Sequence, residues 1–303
     1  MNSLKIALDW TPNTNHIGIF VAQQLGFYRE LGLEVTILDP SQDNYALSPG
    51  KRVAEGRADF GIAPFETVIS LNNKPNPVEV VAVYAILQED ISCIATLASS
   101  PIKQLQDLDG RIYASYKARY EDLIVQEMVK AAGGKGELVL EYPNRLGIWN
   151  TLLQGSADAT WIFDNWEGVE AAAKGVELRK FFLGDYGIPY GYSPVIFTRR
   201  EALAAKKELY SQFIQATQRG YLHAVANEKE VLEILYPFLP LHDQEQMDLA
   251  KSIAYTTPYF GNASTAGLMK KERVQAFLNW LVAHGLEDAR ILNQGLYSNE
   301  LLG

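Results

Sequence analysis

Trp10, Asn13 and His16 fall within seven consecutive positions of the segment LDWTPNTNH. Tryptophan supplies a flat stacking face, and Asn13, Asn15 and His16 supply hydrogen-bonding groups. A neutral imidazole can donate to, or accept from, a heterocycle nitrogen. Such a set suits recognition of a small flat molecule with a polar edge. Each residue also has a plainer role, since Asn closes turns, a lone Trp is usually core, and a His at a helix start is often a local hydrogen bonder. A second cluster, TWIFDNWEG, places Trp161, Phe163, Asp164 and Trp166 within six positions. Strand alternation sends Trp161 and Phe163 to one face, so one aromatic is expected in the core, and Asp164 can cap the helix that follows. At least one contact to a ligand is expected from this cluster. Tyr190 and Tyr192, in IPYGYSP, suit either a binding surface or the packing of a hinge.

Alternating strand and helix patterns must position these groups. Strands are predicted at 4–9, 34–38, 58–63, 78–87, 92–98, 111–115, 137–142, 157–163, 176–183 and 193–199. Helices are predicted near 15–25, 46–55, 65–71, 121–134 and 145–154, with another starting near Asp164. After about Ala202 helical periodicity dominates, over 202–227, 228–236, 242–254 and 270–284. Strands alternating with helices imply parallel or mixed sheets covered by helices, and the helical tail implies packing back on the first unit. LDWTPNTNH then lies where a strand runs through a polar turn into a helix N-terminus, the usual ligand position of an open α/β sheet.

The chain has 303 residues, enough for two domains, with 48% hydrophobic and 21% charged residues, as in an ordinary globular protein. A net charge of −9 argues against a general nucleic-acid binder. It does not exclude an anionic ligand, because local charge can oppose the total. Cys93 is the single cysteine, so no disulfide within the chain is possible, and its apolar run DISCIATLA predicts a buried, inert thiol. The four histidines show no zinc spacing. No run approaches transmembrane length, so no direct membrane insertion is expected. The chain enters its first strand with no basic and apolar leader. That reads as a cytoplasmic start at Met1, or as an extracytoplasmic protein whose signal was trimmed. There is no G-x-S-x-G, no P-loop, no Cys/His pair at motif spacing, and no carboxylate pair placed for acid–base work.

LDWTPNTNH closely resembles the periplasmic-binding-protein-like branch that holds the formylaminopyrimidine-binding proteins of thiamine-salvage transporters. The fungal pyrimidine-precursor synthases and the alkanesulfonate- and nitrate-binding proteins share that branch. GFYRELGLEVTILDP (26–40), EGRADFGIAPFETV (55–68), QLQDLDGRIYASY (104–116), GSADATWIFDNWEGVEAAAKG (155–175) and YSPVIFTRREAL (192–203) carry the likeness further, and it spans essentially the whole chain.

The resemblance implies an α/β, type II periplasmic-binding-protein fold with two lobes, a hinge and an interlobe ligand cleft. Mapped here, lobe one is 1–92 with 196–303, lobe two is 93–195, and the crossings fall near 92–97 and 192–197. It implies a small-molecule ligand, a thiamine-related aminopyrimidine in the first place, and delivery to an ABC-transporter permease. Glu66, near the start of the helix after ADFGIA, is expected either to favour the helix dipole or to pair with the amidine edge of that ring. Tyr45, Ser115, Tyr116 and Asn144, in loops after strands, are further candidates, and Asp164 is a second partner for the ring edge. An anion would instead need Arg119 and Arg145. The synthases of the branch use a histidine-and-lysine site and a cysteine-rich iron-binding segment. The lysine position holds Ala63 here and the cysteine-rich region reads GYSPVIF, so no catalytic residue, cofactor or metal is expected.

Overall fold

The structure, a computed structural model, describes residues 1–143 and 149–302. Its strands form two five-stranded sheets. The first has the order β2-β1-β3-β10-β4, built from β1 (Asn2–Ala7), β2 (Leu33–Leu38), β3 (Phe60–Ala63), β4 (Val80–Ala85) and β10 (Val195–Arg199). The second has the order β7-β6-β8-β5-β9, built from β5 (Ser92–Leu97), β6 (Ile112–Ala114), β7 (Val139–Glu141), β8 (Ala159–Phe163) and β9 (Leu178–Phe182). The two sheets share one plan. β1 pairs parallel with β2 and β3, as β6 does with β7 and β8. Next to these lies an antiparallel strand, β10 in the first sheet and β5 in the second.

The strands form where β-prone apolar runs can be covered by helices. Every residue of β3 and β4 is buried; β3 is an interior strand packed on both faces, and β4, at the sheet's end, is covered where Ala82 and Ala85 bridge to Tyr297 and Gly267. The predicted alternation of strand and helix holds through residue 199. The segment 92–97, expected both as a strand and near a crossing between units, is a full strand paired on both sides by β8 and β9. Its neighbours satisfy both edges, so the chain passes between sheets just before it, over 86–91, and returns over 183–194. Cys93 is a free thiol in this strand, fully buried, and burial pushes its ionisation far up. The helix expected over 242–254 is two helices, Leu241–Gln246 and Leu249–Thr256. Met247 is extended there, and the Asp248 carboxylate caps the second helix by accepting from the Lys251 N–H at 3.1 Å.

The helical tail packs back on the first sheet's helices, with Lys207–Ala226 crossing Ile17–Gln24. A Cβ on Gly220 would lie 2.0 Å from the Gly18 carbonyl oxygen, so this approach requires glycine. The Tyr221 ring covers Gly18, and its hydroxyl donates to the Asn15 carbonyl at 2.8 Å. A tail helix thereby holds the turn that follows β1. Helix Leu249–Thr256 goes further and touches the turn after β8.

Candidate ligand cleft

The carboxyl ends of the parallel strands of both sheets supply the polar and aromatic groups of one cleft. Asp9 and Trp10 follow β1, Tyr45 follows β2, Pro64 and Glu66 follow β3, Tyr116 follows β6, and Trp166 and Glu167 follow β8. The larger chamber, about 380 Å³, is walled by Asp9, Trp10, Asn13 and Tyr45 on one side and by Tyr116, Trp166 and Glu167 on the other. A smaller chamber of about 180 Å³ shares Pro64, Tyr116 and Phe163 with it and adds Glu66, Glu121, Trp161 and Tyr190. No Lys or Arg stands among the described residues that wall either chamber.

Local structure fixes each group. Asn13 opens the helical turn Thr14–His16; its side-chain oxygen accepts from the Asn15 N–H at 2.9 Å, and its amide donates to the Thr11 carbonyl at 3.1 Å. His16 is fully buried. Its Nδ1 accepts from the Asn13 N–H at 3.2 Å, which leaves the proton on Nε2 to donate to Asp9 Oδ1 at 2.8 Å. The imidazole thus aims the carboxylate on the wall. Trp10 and Tyr45 lie with ring centroids 5.0 Å apart at 40°. Asn44 and Tyr45 have φ of 53° and 60°, the left-handed region that a tyrosine rarely adopts, and this turn sets the ring against Trp10. After β8 the chain makes a π-helical turn, Asp164–Gly168, which carries Trp166 and Glu167 onto the wall. Burial pushes the Glu167 carboxyl up to about 7, against the Phe163 N–H that donates to it at 3.0 Å.

In the smaller chamber the Tyr190 hydroxyl donates to Glu66 Oε1 at 2.5 Å, while Glu66 Oε2 is buried with no hydrogen-bond partner. Burial raises the Glu66 carboxyl above the usual carboxylate range and Glu121 adds to this, while the Tyr190 hydroxyl, the Tyr120 backbone N–H and the Arg119 guanidinium oppose it. Glu121 accepts from the Tyr113 hydroxyl at 2.8 Å and from the Tyr116 and Ala118 N–H groups at 3.0 and 3.1 Å. Its carboxyl is raised as well, again chiefly by burial.

The structure therefore brings Trp10, Asn13, Tyr45, Glu66, Tyr116, Trp161, Trp166 and Tyr190 to the two chambers. Four other expected residues lie off these walls. His16 is spent on Asp9 and Asn13. Ser115 donates to Asp122 at 2.6 Å and accepts from the Lys117 N–H at 2.9 Å. Asp164 is ion-paired with Lys180 and accepts from the Tyr255 hydroxyl at 2.9 Å. Tyr192 is buried under the Arg273 guanidinium, and its oxygen accepts from the Lys270 N–H at 2.9 Å. Asn144 and Arg145 lie outside the described residues. Arg119 reaches an adjoining surface cavity, where Glu287 and the Tyr120 hydroxyl engage its guanidinium. Asp9, Glu121 and Glu167 are wall residues that sequence reading missed. Asp9 beside Trp10 at a strand end was the visible signal; the other two depend on how a turn folds back.

A buried polar knot ties the two sides together. The Asn165 amide lies 2.9 Å from Asn15 Oδ1, 3.2 Å from Thr14 Oγ1 and 3.0 Å from Thr256 Oγ1. The Ser252 hydroxyl donates to the Asn165 carbonyl at 2.5 Å. The turn after β1, the turn after β8 and the helix Leu249–Thr256 are joined at this point.

A family model described as "NMT1/THI5 like" matches residues 13–231. The chain is similar to the formylaminopyrimidine-binding protein of Halalkalibacterium halodurans, at 24% identity over 99% of this chain and 90% of that one. It is also similar to the 4-amino-5-hydroxymethyl-2-methylpyrimidine phosphate synthase of Legionella pneumophila, at 27% identity over 78% of this chain and 74% of that one. Among solved structures, the alkanesulfonate-binding protein of Xanthomonas axonopodis pv. citri bound to MOPS superposes with a TM-score of 0.71 at 14% identity, covering 98% of each chain. That likeness gives the two-lobed α/β periplasmic-binding-protein fold. Among the described residues no helix is long and apolar enough to cross a membrane.

Proposed function

Since the chain belongs to the NMT1/THI5-like family and has the fold of a solute-binding protein, we propose that it captures a thiamine-related aminopyrimidine in this cleft. N-formyl-4-amino-5-aminomethyl-2-methylpyrimidine and the hydroxymethyl analogue are the first candidates. The observation that carries the reading is the pairing of a tilted Trp10–Tyr45 face with carboxylates on a wall free of cations among the described residues. A flat ring stacks on Trp10, and its amino group and ring nitrogens meet Asp9 or Glu167, which offer oxygen pairs to an amidine edge. The same wall disfavours a sulfonate, whose charge would face Asp9 and Glu167 with no guanidinium or ammonium among the described wall residues. We read lobe one as 1–92 with 196–303 and lobe two as 93–195, closing on the ligand by hinge motion and handing it to an ABC-type permease.

Binding rather than catalysis is the role this reading assigns. The position of the synthase lysine is Ala63, at the end of β3, and offers no amine for an imine. The test is thermal unfolding with thiamine, its pyrimidine precursors, alkanesulfonates and pyridoxal phosphate. A ligand that binds only the folded state stabilises by about 2.7 kcal/mol at a hundred times its Kd. The expected result is a rise in Tm with the aminopyrimidines that Trp10→Ala removes. A rise with sulfonates alone, or pyrimidine synthesis in the presence of pyridoxal phosphate and iron, contradicts the proposal.

A further inference from the structure

The smaller chamber has a chemistry of its own. Four aromatic rings, Tyr116, Trp161, Phe163 and Tyr190, surround two carboxylates, Glu66 and Glu121. Trp161 and Tyr190 meet with centroids 5.4 Å apart at 59°. Glu121 has both oxygens occupied by hydrogen-bond donors. Glu66 is only 7% exposed, and its Oε2 has no hydrogen-bond partner of good geometry, although the Tyr120 backbone N–H stands close enough to favour its charged form. A buried carboxylate oxygen is ordinarily satisfied. Ring faces and carboxylates both attract positive charge, and an aromatic box around a carboxylate is an environment suited to an organic ammonium. Among the described residues the Arg119 guanidinium acts on Glu66, and it is held by Glu287. The chamber adjoins the larger one, with Pro64, Tyr116 and Phe163 lining both.

We infer that the smaller chamber is a subsite for a compact cationic arm, so that the cleft selects heteroaromatic ligands whose ring carries a protonated amine or another organic cation, with Glu66 as its ion partner. This rests on the aminopyrimidine reading of the larger chamber and departs from its two first candidates, whose formamide and hydroxyl arms are neutral, in favour of the free amine. A ring seated against Trp10 directs its substituent inward past Tyr116. There the cation pairs with Glu66 and relieves the repulsion from Glu121. A neutral hydroxyl of the same size makes a hydrogen bond but leaves that repulsion in place.

The experiment is calorimetric titration of the full chain near neutral pH with 4-amino-5-aminomethyl-2-methylpyrimidine and with its hydroxymethyl analogue. The ring is common to the two, and the arm is cationic in the first and neutral in the second. The wild type is expected to bind the amine roughly tenfold or more tightly than the alcohol, the scale of a desolvated cation–π and ion-pair contact. In Glu66→Gln, which keeps an oxygen to accept from Tyr190, the ratio of the two affinities is expected to fall severalfold, to what the rings and Glu121 alone supply, so that the wild-type preference does not survive. Equal affinities in the wild type overturn the subsite and leave the ring reading standing. A preference that survives Glu66→Gln overturns the role of Glu66. Binding of neither compound overturns both readings. The wild-type comparison needs no variant, so misfolding of Glu66→Gln cannot shelter the inference.

Discussion

Asp9 owes its place on the cleft wall to His16, which receives the Asn13 N–H on one ring nitrogen and donates to the carboxylate with the other. Three glutamates of the cleft share a consequence of burial. Glu66 and Glu121 are raised above their ordinary values, and Glu167 is raised from 4.5 to about 7. A carboxyl raised in the folded state binds its proton more tightly there than in the unfolded chain. Its contribution to stability is full below the unfolded value and is lost as pH rises through the folded one. The free protein is therefore expected to lose stability between about pH 4.5 and 7, and Glu167→Gln to flatten that slope in urea unfolding measured across the window. An unchanged slope would mean that Glu167 is solvated in the free cleft.

At the scale of elements, the turn after β1 is held from behind. Helix Lys207–Ala226 approaches Ile17–Gln24 closely enough that a methyl on Gly220 meets backbone, and backbone cannot rotate away. Gly220→Ala is expected to cost about 2 kcal/mol or more in chemical denaturation, at the upper part of the range for overpacking. It should also weaken ligand binding, because the Tyr221 bond to Asn15 moves with the helix. Much of this level was legible in the sequence. Apolar periodicity placed nearly every strand and helix, and the polar turns after them were recognised as the places for a site. What periodicity could not say is how a side chain is spent. Asp164 and Glu167 are both acidic and stand three positions apart in one turn, yet Lys180 and Tyr255 claim the first while the π-helical turn leaves the second on the wall. His16 drew notice for its chemistry and proved to be a support for Asp9, a residue whose own chemistry was passed over.

Across the whole molecule, two sheets of matching plan point the carboxyl ends of their parallel strands at one cleft. Each sheet holds one antiparallel strand next to the chain's passage to or from the other, at 86–91 and 183–194. The knot at Asn165 adds a third tie, through helix Leu249–Thr256. Closure by hinge motion at these passages predicts a smaller radius of gyration in solution when the cleft is filled, measurable by small-angle X-ray scattering with and without a saturating aminopyrimidine. Asn165→Ala, which cuts the tie at its centre, is expected to widen the difference between the free and filled states. Identical scattering curves for the free and filled wild type would count against a hinge.

The central claim is that this acidic, aromatic cleft takes an aminopyrimidine and refuses an anion. Its most direct measurement is calorimetric titration of the purified chain with 4-amino-5-hydroxymethyl-2-methylpyrimidine and, separately, with an alkanesulfonate. The account predicts saturable one-to-one binding of the pyrimidine and no heat of binding from the sulfonate. Saturable binding of the sulfonate with none of the pyrimidine would contradict it.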